Sequence, residues 1–113
     1  MYKSKIEFEL TIIVPVFNEE DNLERVRKEF LKYFKESKYE SKVLFVNDGS
    51  TDQSQYLIED FCQRSDRFSF LQLHKNLGLS AAIKAGIDSV DTPFVGYIDS
   101  DLQTTPFDFD SLM

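Results

Sequence analysis

Asp99-Ser100-Asp101 follows directly on the apolar run Phe94-Val95-Gly96-Tyr97-Ile98. Two carboxylates one residue apart, at the mouth of a predicted buried strand, suit a hard divalent cation and, through it, the phosphates of a nucleotide. The same three letters also suit an ordinary turn, where Asp and Ser are common. Which chemistry they serve depends on what the other loops bring beside them.

The elements that would position this pair can be read from hydrophobic periodicity. Leu10–Val14, Val43–Val46, Phe68–Leu73 and Phe94–Ile98 read as strands, the first stopped by Pro15 and the second by Asn47-Asp48-Gly49-Ser50. The first, second and fourth are nearly continuous in apolar residues, as expected of strands covered on both faces. Between the first two, Leu23, Val26, Phe30, Leu31 and Phe34 recur at helical spacing among Glu, Arg and Lys. Asn18 or Asn22 suits the start of that helix. A second helix is predicted from near Asp52, burying Leu57, Ile58, Phe61 and Cys62. A third covers Leu79 to Ser89, where Ala81, Ala82, Ala85 and Gly86 allow close approach to a sheet. The alternation β-α-β-α-β-α-β predicts an α/β fold, a Rossmann-like open and mainly parallel sheet with helices on both faces. The stretch after Asp101 reads as a loop leading into a helix start left unfinished, which makes the chain a fragment of a larger unit.

Composition narrows the function. The chain has 113 residues, one domain's worth, with eleven Phe and five Tyr to fill a core. Its net charge of −7 disfavours nucleic acid and anionic membrane surfaces as partners. Any phosphate ligand would need a bridging cation. One Cys and one His exclude an internal disulfide and argue against a zinc site. Cys62 lies on an apolar stripe, as a small buried hydrophobe does. With no signal peptide and no apolar span of about 20 residues, the segment is expected to be soluble and cytoplasmic.

The polar clusters fall at the strand ends, where open α/β sheets bind ligands. They are Pro15-Val16-Phe17-Asn18-Glu19-Glu20, Asn47 to Asp52, His74-Lys75-Asn76-Leu77-Gly78 and Asp99-Ser100-Asp101. No Walker P-loop is present, and Pro15 and Phe17 occupy the turn where a dinucleotide fingerprint needs glycines. Asp48-Gly49-Ser50 lacks the Gly-x-Ser-x-Gly elbow of a serine nucleophile. His74 has no Ser or Cys partner and reads as a solvated loop residue. A receiver-like signalling domain expects its acid pair after the first strand, where this chain has Pro15.

Four motifs, in order and in register with the strands, then resemble the N-terminal, donor-binding half of family-2 glycosyltransferases with the GT-A fold. They are Thr11-Ile-Ile-Val-Pro-Val-Phe-Asn-Glu19, Val46-Asn-Asp-Gly-Ser-Thr-Asp52, Asn76-Leu-Gly-Leu-Ser-Ala-Ala82 and Asp99-Ser-Asp101. The match spans about Leu10 to Pro106. Asp99-Ser100-Asp101-Leu102-Gln103 with Pro106 is further similar to the polyprenol-phosphate sugar transferases, dolichol-phosphate types included. Ser100 stands where those have Ala or Gly, and Thr105-Pro106 where they have two prolines.

The resemblance implies that residues 1–113 form a single nucleotide-sugar-binding part of a glycosyltransferase domain. Pro15, Phe17, Asn18, Glu19 and Ser100 match positions around the donor nucleotide, and Asp48 the acid that recognises the base. Asp99 and Asp101 match the metal motif, for Mg²⁺ or Mn²⁺, and Gln103 the sugar or acceptor-phosphate side. The implied reaction moves a sugar from a UDP- or GDP-sugar to a lipid-phosphate or saccharide acceptor, polyprenol phosphate among them. The base that activates an acceptor belongs to the second half of such domains, and no residue here matches it. Asp52 reads as a helix cap, and Lys75 and Asn76 as loop-shaping. The alternative is a non-catalytic module that binds nucleoside diphosphates. An incomplete half leaves apolar faces uncovered, which predicts self-association as a homodimer; membrane association of the full-length protein would lie in residues not present here.

Overall fold

The computed structural model describes residues 7–99 and Pro106. Ser100, Asp101, Gln103 and the expected helix start lie outside the described residues. Four strands, β1 (Leu10–Val16), β2 (Ser41–Asn47), β3 (Phe68–Gln72) and β4 (Phe94–Tyr97), form one parallel sheet in the order β3-β2-β1-β4. Helices α1 (Leu23–Glu36), α2 (Ser54–Arg64) and α3 (Leu79–Ser89) make the crossovers. This is the α/β architecture read from the sequence. The chain runs outward from β1 through β2 to β3, then returns to lay β4 on the other side of β1. The strand order therefore reverses between β1 and β4, where open sheets leave a crevice at the carboxyl ends.

Period-two alternation divides the core. Leu10, Ile12, Val14 and Val16 join Val43 and Phe45 on the face covered by α1 and α2, which contribute Leu23, Val26, Phe30, Tyr33, Ile58 and Phe61. Ile13, Leu44 and Val46 turn to the other face and meet Ala82 of α3. On that side a Cβ built at Gly86 would lie 3.0 Å from two Ile13 methyl carbons and 3.1 Å from a Val46 methyl. The missing side chain is what lets α3 sit so close to the sheet.

Three expectations are corrected. Pro15 does not stop β1 but lies within it, opposite Val46. Its position explains why it is tolerated. Odd-numbered residues of β1 direct their peptide groups toward β4: the Glu9 carbonyl accepts from Phe94 N (3.0 Å) and the Ile13 carbonyl from Ile98 N (3.0 Å). The next donor to β4 would be the amide that Pro15 lacks. The β1–β4 ladder ends there, and Asp99 is released toward the crevice. On the other side the Val16 carbonyl still accepts from Asp48 N at 2.8 Å, so β1 and β2 stay paired to their ends.

In α1, Leu31 is exposed and Tyr33 takes the buried place, because the spacing 23, 26, 30, 33 keeps one face while Leu31 turns a further 100° away. The fourth strand is not covered on both faces. It is an edge, with Phe94, Val95 and Tyr97 all exposed among the described residues. This is the surface on which the homodimer expectation bears. No helix among the described residues is long and apolar enough to cross a membrane.

Gly86→Leu should force α3 off the sheet and cost on the order of 1–3 kcal/mol, measured as a fall in the urea midpoint at unchanged slope. An unchanged midpoint would mean that α3 does not pack as described.

Candidate functional site

Two clamps draw the loops at the carboxyl edge together. The first joins the β1–α1 and β2–α2 loops. Asn18 takes a left-handed conformation (φ 51°), which Asn tolerates better than most residues. Its side-chain Oδ1 accepts from the Thr51 amide (2.8 Å) and the Asp52 amide (3.3 Å), and its own amide donates to Ser50 Oγ (2.9 Å). The Glu19 amide donates to Ser54 Oγ (3.0 Å) and the Glu20 amide to Asp52 Oδ2 (3.1 Å). Asp52 Oδ1 accepts from the Ser54 amide at 2.9 Å, so it caps α2 from two residues before the helix starts. Helix α1 starts after Asn22, whose side-chain amide donates to Glu19 Oε2 at 2.8 Å instead of capping.

The second clamp joins the β2–α2 and β3–α3 loops. Asp48 is 4 % exposed. Its Oδ1 accepts from the Leu77 amide (2.7 Å), and its Oδ2 from the Gly78 amide (3.0 Å) and Asn76 Nδ2 (3.2 Å). Asn76 Nδ2 also reaches the Asp48 carbonyl at 3.1 Å. Gly78 is the N-cap position of α3 and has no side chain to offer. The carboxylate from β2 therefore does the capping from thirty residues away, placing negative charge at the positive end of α3. The loops meet so closely that a Cβ at Gly49 would collide with the Lys75 and Asn76 backbone, and Gly49 itself sits at φ 74°.

Between the clamps lies a cleft of about 390 Å³ lined by Pro15, Val16, Phe17, Glu19, Asp48, Asn76, Gly78, Leu79 and Asp99. It opens at the β1–β4 reversal. Five of the sequence-predicted residues, Pro15, Phe17, Glu19, Asp48 and Asp99, come together here from three strand ends. Asn18 is not among the residues lining the cleft; its side-chain oxygen and backbone amide belong to the first clamp. Phe17 is not a core aromatic but is half-exposed at the cleft, free to lie against a flat ligand. Sequence reasoning does not single out Val16, Gly78 and Leu79, and it reads Asn76 as loop-shaping, with phosphate contact as the lesser alternative. The motif Asn76-Leu77-Gly78 carried the signal, since a glycine there provides the positive φ of 101°.

Asp99 is exposed at the rim, and among the described residues no hydrogen bond or ion pair engages its carboxylate. Its oxygens are the donor type that Mg²⁺ and Mn²⁺ favour. Among the described residues no group of three or more His, Cys, Asp or Glu is placed to hold a metal ion, and Asp99 alone does not make a site. His74 is exposed, as expected. Burial pushes the Cys62 thiol up to about 11, with nearby Glu59 adding to the rise. Such a thiol is no nucleophile at neutral pH.

The profile of glycosyl transferase family 2 matches residues 11–113. The chain belongs to that family. It is 37 % identical over 98 residues to an uncharacterized glycosyltransferase of Synechocystis, covering 87 % of this chain and 31 % of the relative. It is 32 % identical over 98 residues to the undecaprenyl-phosphate 4-deoxy-4-formamido-L-arabinose transferase of Proteus mirabilis, covering 86 % and 30 %. The chain thus spans about a third of the length of these curated relatives. Among solved structures, Staphylococcus aureus TarS 1–349 in complex with UDP-GlcNAc superimposes with a TM-score of 0.71 at 24 % identity, over 83 % of this chain and 27 % of that one. A Pyrobaculum calidifontis mannosyltransferase in complex with GDP-Man and Mn²⁺ gives a TM-score of 0.64 at 20 % identity, over 82 % and 27 %. The fold is accordingly the GT-A type of this glycosyltransferase family, present in part.

Two substitutions test the clamps. Gly49→Ala should destabilise by more than about 1 kcal/mol, since it meets both a positive φ and a backbone collision; an unchanged melting temperature would rule the close approach out. For Asp52, burial alone would raise the carboxyl, but the bonds from the Ser54 hydroxyl and amide and the Glu20 amide outweigh it and hold it below its ordinary value. Its stabilisation is then complete above the unfolded value of about 3.9 and is lost as pH falls through the folded value. Asp52→Asn should cost on the order of 1 kcal/mol at pH 7, and the gap to wild type should narrow in unfolding curves below about pH 4. A gap independent of pH would contradict the ionic cap.

Proposed function

We propose that this chain is the donor-binding part of a metal-dependent glycosyltransferase that takes a sugar from a UDP- or GDP-sugar. The observation that carries the proposal is the cleft at the strand-order reversal, where Phe17, Glu19, Asp48 and Asp99 converge from separate loops. Family membership supports glycosyl transfer as the reaction. The nucleotide class is supported by neighbours of the same fold whose structures hold UDP-GlcNAc or GDP-Man.

Each residue has a part in this reading. The Phe17 ring covers one side of the base, and Pro15 and Val16 form the floor. The Asp48 carboxylate receives an N–H from the base edge. Glu19, steadied by Asn22, accepts from ribose hydroxyls. Asp99 and Asp101 would hold Mg²⁺ or Mn²⁺ through carboxylate oxygens, and the ion would supply positive charge to the leaving diphosphate. Ser100 lies between those acids in the sequence, and Gln103 would serve the sugar or acceptor-phosphate side. A polyprenol phosphate is the favoured acceptor, supported by Asp99-Ser100-Asp101-Leu102-Gln103 and by relatives named for undecaprenyl and dodecaprenyl phosphates. Such an acceptor is already anionic and needs little help from a base.

Calorimetric titration of the chain with UDP- and GDP-sugars, with and without Mn²⁺, should give metal-dependent binding of one nucleotide class. Asp99→Ala and Asp101→Ala should each remove the metal dependence. Binding by a folded sample that is indifferent to Mn²⁺, or no binding at all, would sink the proposal. The isolated chain should transfer no sugar, because it spans about a third of its relatives and offers no base among the described residues. Turnover by this chain would show that the reading of it as the donor part alone is wrong.

A further inference from the structure

The Asp48 clamp has a consequence for selectivity, resting on the reading of Asp48 as the base-contacting acid. An ionised carboxylate offers about four acceptor positions on two oxygens. Three are taken: Leu77 N on Oδ1, and Gly78 N and Asn76 Nδ2 on Oδ2. The two backbone donors come from successive residues at the start of α3, so they fix where the carboxylate lies. One bonds each oxygen, so together they also set its plane and leave each oxygen one further acceptor position. Asn76 takes the one on Oδ2, its amide also bonding the main-chain carbonyl of the same residue.

We propose that Asn76 is a positioning residue for base selection. By occupying the second acceptor position of Oδ2, it leaves one acceptor of Asp48, on Oδ1, for the cleft. One acceptor matches one N–H donor. Uracil N3–H and guanine N1–H supply such a donor on the base edge, whereas cytosine N3 and adenine N1 present an acceptor there and would be repelled by the carboxylate. Without Asn76 the carboxylate keeps its capping bonds but gains an uncommitted acceptor facing the cleft. A second acceptor can receive an exocyclic amino group, so discrimination weakens.

The geometry also explains why the acid cannot be exchanged for its amide. Both Asp48 oxygens face backbone N–H groups, so Asp48→Asn must set an NH₂ against one of them. That substitution breaks the clamp itself, whereas a change at Asn76 leaves the two backbone bonds in place.

The test compares affinities for UDP and CDP, and for GDP and ADP, in wild type and Asn76→Ala, at fixed Mn²⁺ and with melting temperatures recorded. Wild type should prefer the imide-bearing member of one pair. Asn76→Ala should lose roughly ten-fold on that member, the scale of one bond to a charged group, and its preference ratio should fall toward one. Asn76→Gln, which retains the amide, should recover part of the ratio. A purely structural role would lower the melting temperature and both affinities together and leave the ratio intact; that result overturns the proposal. If the alanine variant loses the fold, Asn76→Ser carries the same comparison. A wild type that binds both members equally overturns it too. Failure of the parent reading looks different, since wild type would then bind no nucleotide at all.

Discussion

The carboxylate of Asp48 bound to the amides of Leu77 and Gly78 is the interaction on which the working edge of this fold depends. It is buried, so its charge must be met by donors from the protein. Those donors are the amides of Leu77, in the loop just before α3, and of Gly78, its N-cap residue, which no carbonyl within the helix meets. Each side thus removes the other's penalty. The consequence is geometric: the end of β2 and the start of α3 are held at one fixed separation, and the wall of the cleft is defined before any ligand arrives. Gly49 is required by the same closeness, since no side chain fits between the loops there.

The rest of the molecule makes that edge rigid. Two helices cover one face of the sheet with aromatic and branched side chains, Phe30, Tyr33, Phe45 and Phe61 among them. The other face carries the single helix α3, set close through Gly86 and Ala82. Rings of Phe34, Phe45, Phe61 and Phe68 lie within 5.6–6.1 Å of one another in successive pairs, which fixes the end of the sheet away from the cleft. At that end Arg67 bonds the Ser41 carbonyl at 2.9 Å and lies over Phe34. The β1–β4 ladder ends at Pro15, and Asp99 just beyond it lines the crevice.

Much of this was legible in the sequence because it rests on period and punctuation. The boundaries of α3 match those read from Leu79 to Ser89, since small and apolar residues there repeat at helical spacing between two turn signals. Leu31 and Tyr33 were exchanged because both are apolar enough for either face, and only the facing sheet decides. Pro15 was taken as a stop because its cost depends on which neighbour its missing amide would have met. The loop clusters at one edge are legible in the sequence, and the structure brings Pro15, Phe17, Glu19, Asp48 and Asp99 together there. Asn18 takes part in the loop clamp, a role its sequence position does not distinguish from a place beside a ligand. Asn76 was undervalued because its partner, Asp48, is twenty-eight residues away and no local pattern announces such a pair.

The central claim is that separate loops, clamped through Asp48 and Asn18, form one nucleotide cleft. Backbone amide spectra of the ¹⁵N-labelled chain, titrated with UDP or GDP in the presence of Mn²⁺, address it directly. The account requires the shifts to converge on Phe17, Glu19, Asp48, Asn76 to Leu79 and Asp99, with the outer face of α1 silent. Shifts scattered over the surface, or confined to a region away from these residues, would contradict it.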